Sequence, residues 1–270
     1  MKKIALALTA LAALTGTASA ADLAARPYTK AAPMPVAVAS WTGCYIGGGG
    51  GYGLWNQENT GYFDPTLART GVAGVRTQTT ETATAGGRGY FGTIGGGCDY
   101  QFALGTWNMV IGAFGDYDFV SEKGQLNLPV SAEFGREKMT DRWAVGGRIG
   151  WLVTPQLLTY FSAGYTEAKF DRVNFNNNLV AAPVVTYIPG NTYKGYFIGA
   201  GDEYALSFLP GLFWKTEYRF STFDTKTNLV FNATTNLPDG RSYDSTKYDH
   251  AVRSELVYRF NWGGPVVAKY

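Results

Sequence analysis

Phe213-Trp214-Lys215-Thr216-Glu217-Tyr218-Arg219-Phe220 is the stretch on which the fold turns. Lys215, Glu217 and Arg219 share one face of an extended chain; Trp214, Thr216, Tyr218 and Phe220 share the other. A period of two marks a β-strand, because successive side chains leave a strand on opposite sides. The pattern recurs in 249–261, where Arg253, Glu255 and Arg259 lie with Val257, opposite Val252, Ser254, Leu256, Tyr258 and Phe260. In 140–153, Arg142 and Arg148 lie with Ala144 and Gly146, opposite Trp143, Val145, Ile149 and Trp151. Pattern alone admits two solutions. A soluble sheet would turn the charged face to water, and a closed membrane sheet would turn it inward and the apolar face to lipid.

Eight stretches carry this theme: 43–55, 88–102, 108–119, 140–153, 157–170, 192–206, 212–223 and 249–261. The connections alternate long (56–87, 120–139, 171–191, 224–248) with short (103–107, 154–156, 207–211). A soluble sandwich has no reason to sort its loops by end. An up-and-down membrane barrel does, with short periplasmic turns and longer external loops. Aromatics near the strand ends suit the headgroup level of a bilayer. The expected fold is all-β, an eight-stranded antiparallel up-and-down transmembrane β-barrel over 41–262.

Composition agrees. The 270-residue chain has 15% aromatic residues and 35 glycines, roughly twice the usual glycine share. Past the N-terminus no apolar run approaches the roughly 20 residues of a spanning helix. Residues 1–20 read as a signal peptide: Lys2 and Lys3, an apolar core from Ile4 to Leu14, and the small-residue site Ala18-Ser19-Ala20. Losing Lys2 and Lys3 takes the formal charge of +2 to zero, so no charge argument for nucleic acid remains. Residues 21–40, rich in Ala and Pro, read as an extended periplasmic lead-in, and 263–270 as a C-terminal tail. The glycine run from Gly47 to Gly51 fits a narrow, crowded barrel. A phosphate-cradling loop would need a following helix and a Lys-Ser/Thr pair, and neither follows.

Several motifs resemble one family. Trp41-Thr42-Gly43-Cys44-Tyr45-Ile46-Gly47-Gly48 is similar to the entry strand of the small outer-membrane β-barrel proteins of alphaproteobacteria, of the porin-like surface-antigen and hemin-binding type with an OmpA-like barrel. Gly195 through Ala205 resembles their sixth strand, Lys215-Thr216-Glu217-Tyr218 the seventh, and Val252 through Phe260 the closing strand. The resemblance covers roughly Ala21 to Phe260 and leaves the long loops unmatched. It implies an outer-membrane location, a role in envelope integrity and surface interaction, and, for some members, hemin as a ligand; no heme-ligand pair is visible. The chain departs from the family at Phe114, where an interior acid is expected, at Gly146, where an Arg is expected, and at Glu255, where a small residue is usual. Cys44 and Cys98 stand where the family has aromatics. By strand parity both fall on the outward face of neighbouring strands near the periplasmic end. Export to an oxidising compartment favours a disulfide between them; the alternative is two thiols in the lipid-facing girdle.

The side chains that carry chemistry are charges. Arg148, Glu203, Lys215, Glu217, Arg219, Arg253, Glu255 and Arg259 are expected to face inward. Buried charges must pair, so the expectation is a salt-bridged plug, with a low-conductance porin for small solutes as the rival. A third reading, a lipid-modifying enzyme, rests on His250 and Ser254, which parity puts on one outward face. With His250 the sole histidine, neither catalysis nor a metal site is expected. Expected partners are outer-membrane lipid or lipopolysaccharide, the assembly machinery and extracellular surface ligands at the long loops. Phe260 and Tyr270 are the two candidates for the aromatic read during assembly.

Overall fold

The computed structural model describes residues 40–127, 133–177 and 183–260. The expected signal peptide 1–20, the lead-in up to residue 39, and the tail 263–270 with Tyr270 lie outside the described residues. Within them are eleven strands and one short helix: β1 (Gly43–Phe63), α1 (Pro65–Thr70), β2 (Thr77–Gln78), β3 (Ala83–Leu104), β4 (Trp107–Asn127), β5 (Glu133–Thr154), β6 (Leu157–Phe170), β7 (Val173–Asn177), β8 (Val184–Ile188), β9 (Asn191–Ala205), β10 (Leu212–Asn232) and β11 (Pro238–Phe260). All strands join one antiparallel sheet.

The pairing returns on itself. β1 pairs β3, then β4, β5, β6, β9, β10 and β11 follow in turn, and β11 pairs β1 again from Cys44↔Phe260 to Phe63↔Arg241. Every strand in this circuit has two neighbours, so none is left as an edge. The three remaining strands are short. β7 follows β6 along the same neighbour, with Met139 of β5 opposite Phe170 of β6 and Gly135 opposite Phe175 of β7. β8 leads into β9 and pairs β10 at Phe231↔Tyr187. The interruption between β8 and β9 falls at Pro189-Gly190, where proline has no N–H to give a ladder. β2 pairs the far end of β1.

Each expected stretch falls in a long strand, but the expected long loops are mostly paired arms. β1 continues to Phe63, β4 to Asn127 and β10 to Asn232, while β11 begins at Pro238. These extensions hide from a hydropathy pattern because both faces are polar: Gln57, Asn59, Asn228 and Ser245 are buried inside while Glu58, Thr225 and Thr227 lie exposed outside. Without an apolar face the period of two loses its contrast. α1 is fixed by its ends. Asp64 caps it, accepting from Thr66 N at 2.9 Å and Leu67 N at 3.1 Å, and Gly71 closes it at φ 72°. Asp64 also takes the N–H of Gly74 at 2.6 Å.

At the end with the short turns, the outward face carries Ile46, Ile94, Ile111, Ile149, Ile198 and Leu256, all exposed. The inward face carries three apolar clusters. Trp41, Tyr45, Val110, Leu158, Tyr160, Ala205, Phe213 and Val257 close the short-turn end. Trp55, Phe91, Met139, Phe170, Tyr193 and Phe223 lie further up, and Leu126, Val173, Phe175, Ile188, Val230 and Tyr243 sit among the long hairpins. Glycine lets the strands close around this filling. A Cβ on inward Gly49 would overlap the Ser254 carbonyl and lie 2.7 Å from Glu255 Cα.

Candidate functional site

Charged layers separate the apolar clusters. The layer nearest the short turns is a ring of four. Arg148 from β5 and Arg259 from β11 face Asp99 from β3 and Glu203 from β9. Arg148 donates to Asp99 Oδ1 at 3.0 Å and to Glu203 Oε2 at 2.9 Å; Arg259 donates to Asp99 Oδ2 at 2.6 Å and to Glu203 Oε1 at 2.7 Å. Each guanidinium thus bridges both carboxylates, which its rigid fork allows and an ammonium would not. Aromatic faces close the ring. The Arg259 guanidinium lies 5.0 Å from the Trp41 and Phe213 rings, and Arg148 lies 4.8 Å from Tyr45. Trp41 is held as a lid, its indole N–H reaching the Pro155 carbonyl at 3.3 Å.

The next layer joins β10 and β11 to β4. Arg219 forks onto Asp116 at 3.0 and 2.9 Å and also donates to Glu217 at 2.9 Å. Tyr160 completes Glu217 with a 2.8 Å hydrogen bond. Lys215 meets Glu255 at 3.1 Å, its direct cross-strand partner. Arg253 lies 3.2 Å from Asp116 and 2.9 Å from Asp118, so it links this layer to the one above. There Arg142 grips Asp118 at 2.9 and 2.8 Å and pairs with Asp249. The Glu122 carboxylate lies near this group, with neither oxygen hydrogen-bonded. Above the second apolar cluster Lys247 pairs with Glu137 at 2.7 Å and donates to Gln57, enclosed by Trp55, Phe170 and Tyr193 at 4.9, 4.2 and 4.9 Å.

All eight charges expected inside are buried, and they fall in the two layers nearest the short turns. Arg148, Glu203 and Arg259 meet in the first; Lys215, Glu217, Arg219, Arg253 and Glu255 meet in the second. Their partners Asp99, Asp116, Asp118, Asp249 and Arg142, and the upper pair Lys247–Glu137, were not in that set. Phe114 does face the interior, 6.1 Å from Phe197. Gly146 makes room for Phe197, whose Cζ would lie 2.8 Å from a Cβ there. An aromatic pair thus occupies the space that an acid and an Arg would need.

Two interior cavities, one beside Lys215 and Glu255 and one beneath Tyr193 and Tyr243, have volumes of about 10 Å³ each, room for about one water. Cys44 and Cys98 form a disulfide on the outward face, directly opposite in the β1–β3 ladder with Cα atoms 3.9 Å apart. His250 and Ser254 are engaged separately. His250 Nδ1 lies 2.8 Å from the Tyr218 hydroxyl, and Ser254 accepts the Trp214 indole N–H at 2.8 Å. On the long-hairpin side Arg76 forks onto Asp244 at 2.8 and 2.9 Å.

No family model matches the chain, and no curated protein sequence does. Solved structures similar to it include three. Ail, the attachment invasion locus protein of Yersinia pestis, is 9% identical over 78% of this chain and 99% of its own, with a TM-score of 0.28. The outer membrane protease OmpT from Escherichia coli is 12% identical over 80% and 97%, with a TM-score of 0.35. Neisserial surface protein A is 10% identical over 77% and 97%, with a TM-score of 0.31. Likenesses this remote say nothing of activity, substrate or partner.

Proposed function

We propose that the chain is an eight-stranded up-and-down barrel of the outer membrane, plugged by its own charges, with a structural role in the envelope and a surface role through its external hairpins. The observation that carries this reading is the inverted partition of side chains. Arg142, Arg219, Arg253 and Arg259 are at most 2% exposed, while Tyr90, Ile198, Val252 and Ile46 are at least 59% exposed. Water would reward the opposite arrangement; lipid rewards this one. The apolar band has the right height. Along β11 its outward apolar stretch runs from Val252 to Phe260, a span of about nine residues. At about 3.3 Å per residue and a tilt near 40°, nine residues rise about 23 Å, close to the roughly 25 Å height of such a band.

The eleven strands reduce to eight staves in this reading, because β7 prolongs β6 and β8 precedes β9 on shared neighbours. The short turns then face the periplasm and the long hairpins the exterior. The interior supports a plug rather than a channel: an eight-stranded barrel is just wide enough for its own side chains, and here arginine forks and aromatic rings fill it. Register gains from this filling, since a slip of one residue would send every interior charge into lipid.

The test is membrane fractionation with heat-modifiable mobility, followed by planar-bilayer recording. The folded chain is expected in the outer-membrane fraction, with a mobility that shifts on boiling and no sustained open state. Recovery as a soluble protein would refute the membrane placement, and a stable high-conductance state would refute the plug.

A further inference from the structure

Just above the apolar band, three cations stand abreast on the outward face. Arg88 of β3 is the direct partner of Lys123 of β4, and Lys123 is the direct partner of Lys138 of β5. Arg88 and Lys123 are exposed and Lys138 is half-buried. None of the three has an ion-pair or hydrogen-bonded side-chain partner among the described residues. Like charges directly opposite across a ladder destabilise a sheet, and here the row is three strands wide, about 10 Å at the usual strand spacing. Asp141, near the row on β5, is already engaged by Thr140 at 2.7 Å and Tyr117 at 3.2 Å, and exposed Asp171, whose N–H bonds the Lys138 carbonyl at 2.9 Å, stands at one end of the row without an ion pair to it. One carboxylate at the end of the row leaves Arg88 and Lys123 unanswered, and these call for an anion from outside the chain.

Its height says which anion. Tyr90 follows Arg88 by two residues on the same face and is 74% exposed; Phe119, 58% exposed, lies on the lipid side of Lys123. A ligand here would put apolar chains against Tyr90 and Phe119 and its charge against the row. We propose that Arg88, Lys123 and Lys138 form a docking site for the phosphate groups of a phosphorylated glycolipid in the outer leaflet. The site rests on the membrane placement above and adds to it a lipid class and an address on the β3–β5 wall.

The full chain in phosphatidylcholine nanodiscs, with bisphosphorylated lipid A as the probe, tests this by native mass spectrometry. The wild type is expected to retain lipid A in preference to its dephosphorylated form. The triple variant Arg88→Gln, Lys123→Gln, Lys138→Gln is expected to bind roughly a hundredfold more weakly, from about a fivefold contribution per cation. A second readout needs no ligand. In phosphatidylcholine alone the variant is expected to melt higher than the wild type, because an unanswered repulsion has been removed. Equal retention by variant and wild type, equal retention of dephosphorylated lipid, or preferential capture of a soluble sulfated oligosaccharide would overturn the site. Failure to enter the nanodisc would overturn the membrane placement and the site with it; insertion with indifferent lipid retention overturns the site alone.

Discussion

The ring of Arg148, Arg259, Asp99 and Glu203 makes a sharp prediction about Glu203→Leu. The substitution removes the acceptor of three charge-assisted hydrogen bonds: from Arg148 Nη1 at 2.9 Å, and from Arg259 Nε at 3.1 Å and Nη2 at 2.7 Å. At about 1.5–3 kcal/mol each these would sum to about 4.5–9 kcal/mol. Asp99 still answers both arginines, which returns part of that. The loss expected is the roughly 3–5 kcal/mol of a broken buried pair, about three decades in the folding equilibrium. Adding Arg259→Met restores neutrality and leaves the Arg148–Asp99 pair, bonded at 3.0 and 2.5 Å. The double variant gives up the stack of Arg259 on Trp41, Tyr45 and Phe213, so it should stand about 1–2 kcal/mol below wild type and above the single variant. Urea unfolding in lipid vesicles, followed by tryptophan fluorescence and heat-modified mobility, reads both. A single-variant loss under about 1 kcal/mol, or a double variant no more stable than the single, would refute the ring as a mutually neutralising unit.

Three further outcomes can be read by similar means. Gly49→Ala is expected to cost about 2–3 kcal/mol because its Cβ meets backbone, whereas at neighbouring Gly48 the closest atom, Thr93 O, is at an ordinary 3.5 Å; equal urea midpoints for the two variants would contradict this. The Cys44–Cys98 bond closes a separation of 54 residues, so Cys44→Ser with Cys98→Ser should lower stability by up to about 4 kcal/mol on the chain-entropy account. Unreduced peptide mass spectrometry should recover the linked pair, and alkylatable thiols in the native protein would rule it out. Acid should loosen the segment between β1 and β3. Partial burial pushes the Asp244 carboxyl up, but hydrogen bonds from Arg76 and Thr227 outweigh it and hold it below the ordinary carboxylate range. A carboxyl lowered in the folded state contributes its stability above its unfolded value and loses it as pH falls through the folded one. Amide exchange around α1, corrected for intrinsic rate, should therefore rise below about pH 4 by an amount worth at most about 0.5 kcal/mol for so exposed a pair; flat exchange down to pH 2 would count against it.

The inward sets on β10 and β11 were legible because 213–220 and 252–260 set charged residues on one face against apolar and aromatic residues on the other. β4 shows why the rest was not. Its inward face runs Val110, Gly112, Phe114, Asp116, Asp118, Val120 and Glu122, against outward Ile111, Ala113, Tyr117 and Phe119. Near the short turns the inward residues are as apolar as the outward ones, since there they belong to the cluster around Trp41 and Tyr45. A pattern that seeks contrast between faces fails where the interior itself changes from apolar to charged. The same holds for Asp99, which follows Gly95-Gly96-Gly97-Cys98, a run with no side-chain contrast.

Electroneutrality was the signal that could have located these acids. The inward charges legible in the sequence comprise Arg148, Lys215, Arg219, Arg253 and Arg259, with Arg142 on the face of Arg148, against Glu203, Glu217 and Glu255, three positive charges in excess. Three uncompensated charges in a closed interior would each cost several kcal/mol, so at least three further inward acids were required. Parity admits Asp99, two residues from Gly97 on β3, and Asp116 and Asp118, two and four residues from Phe114 on β4. These are the carboxylates that Arg148, Arg219, Arg253 and Arg259 grip. In a barrel whose bore is packed with ionised side chains, charge balance carries sequence information that hydropathy does not, and it points to partners on strands far apart in the chain.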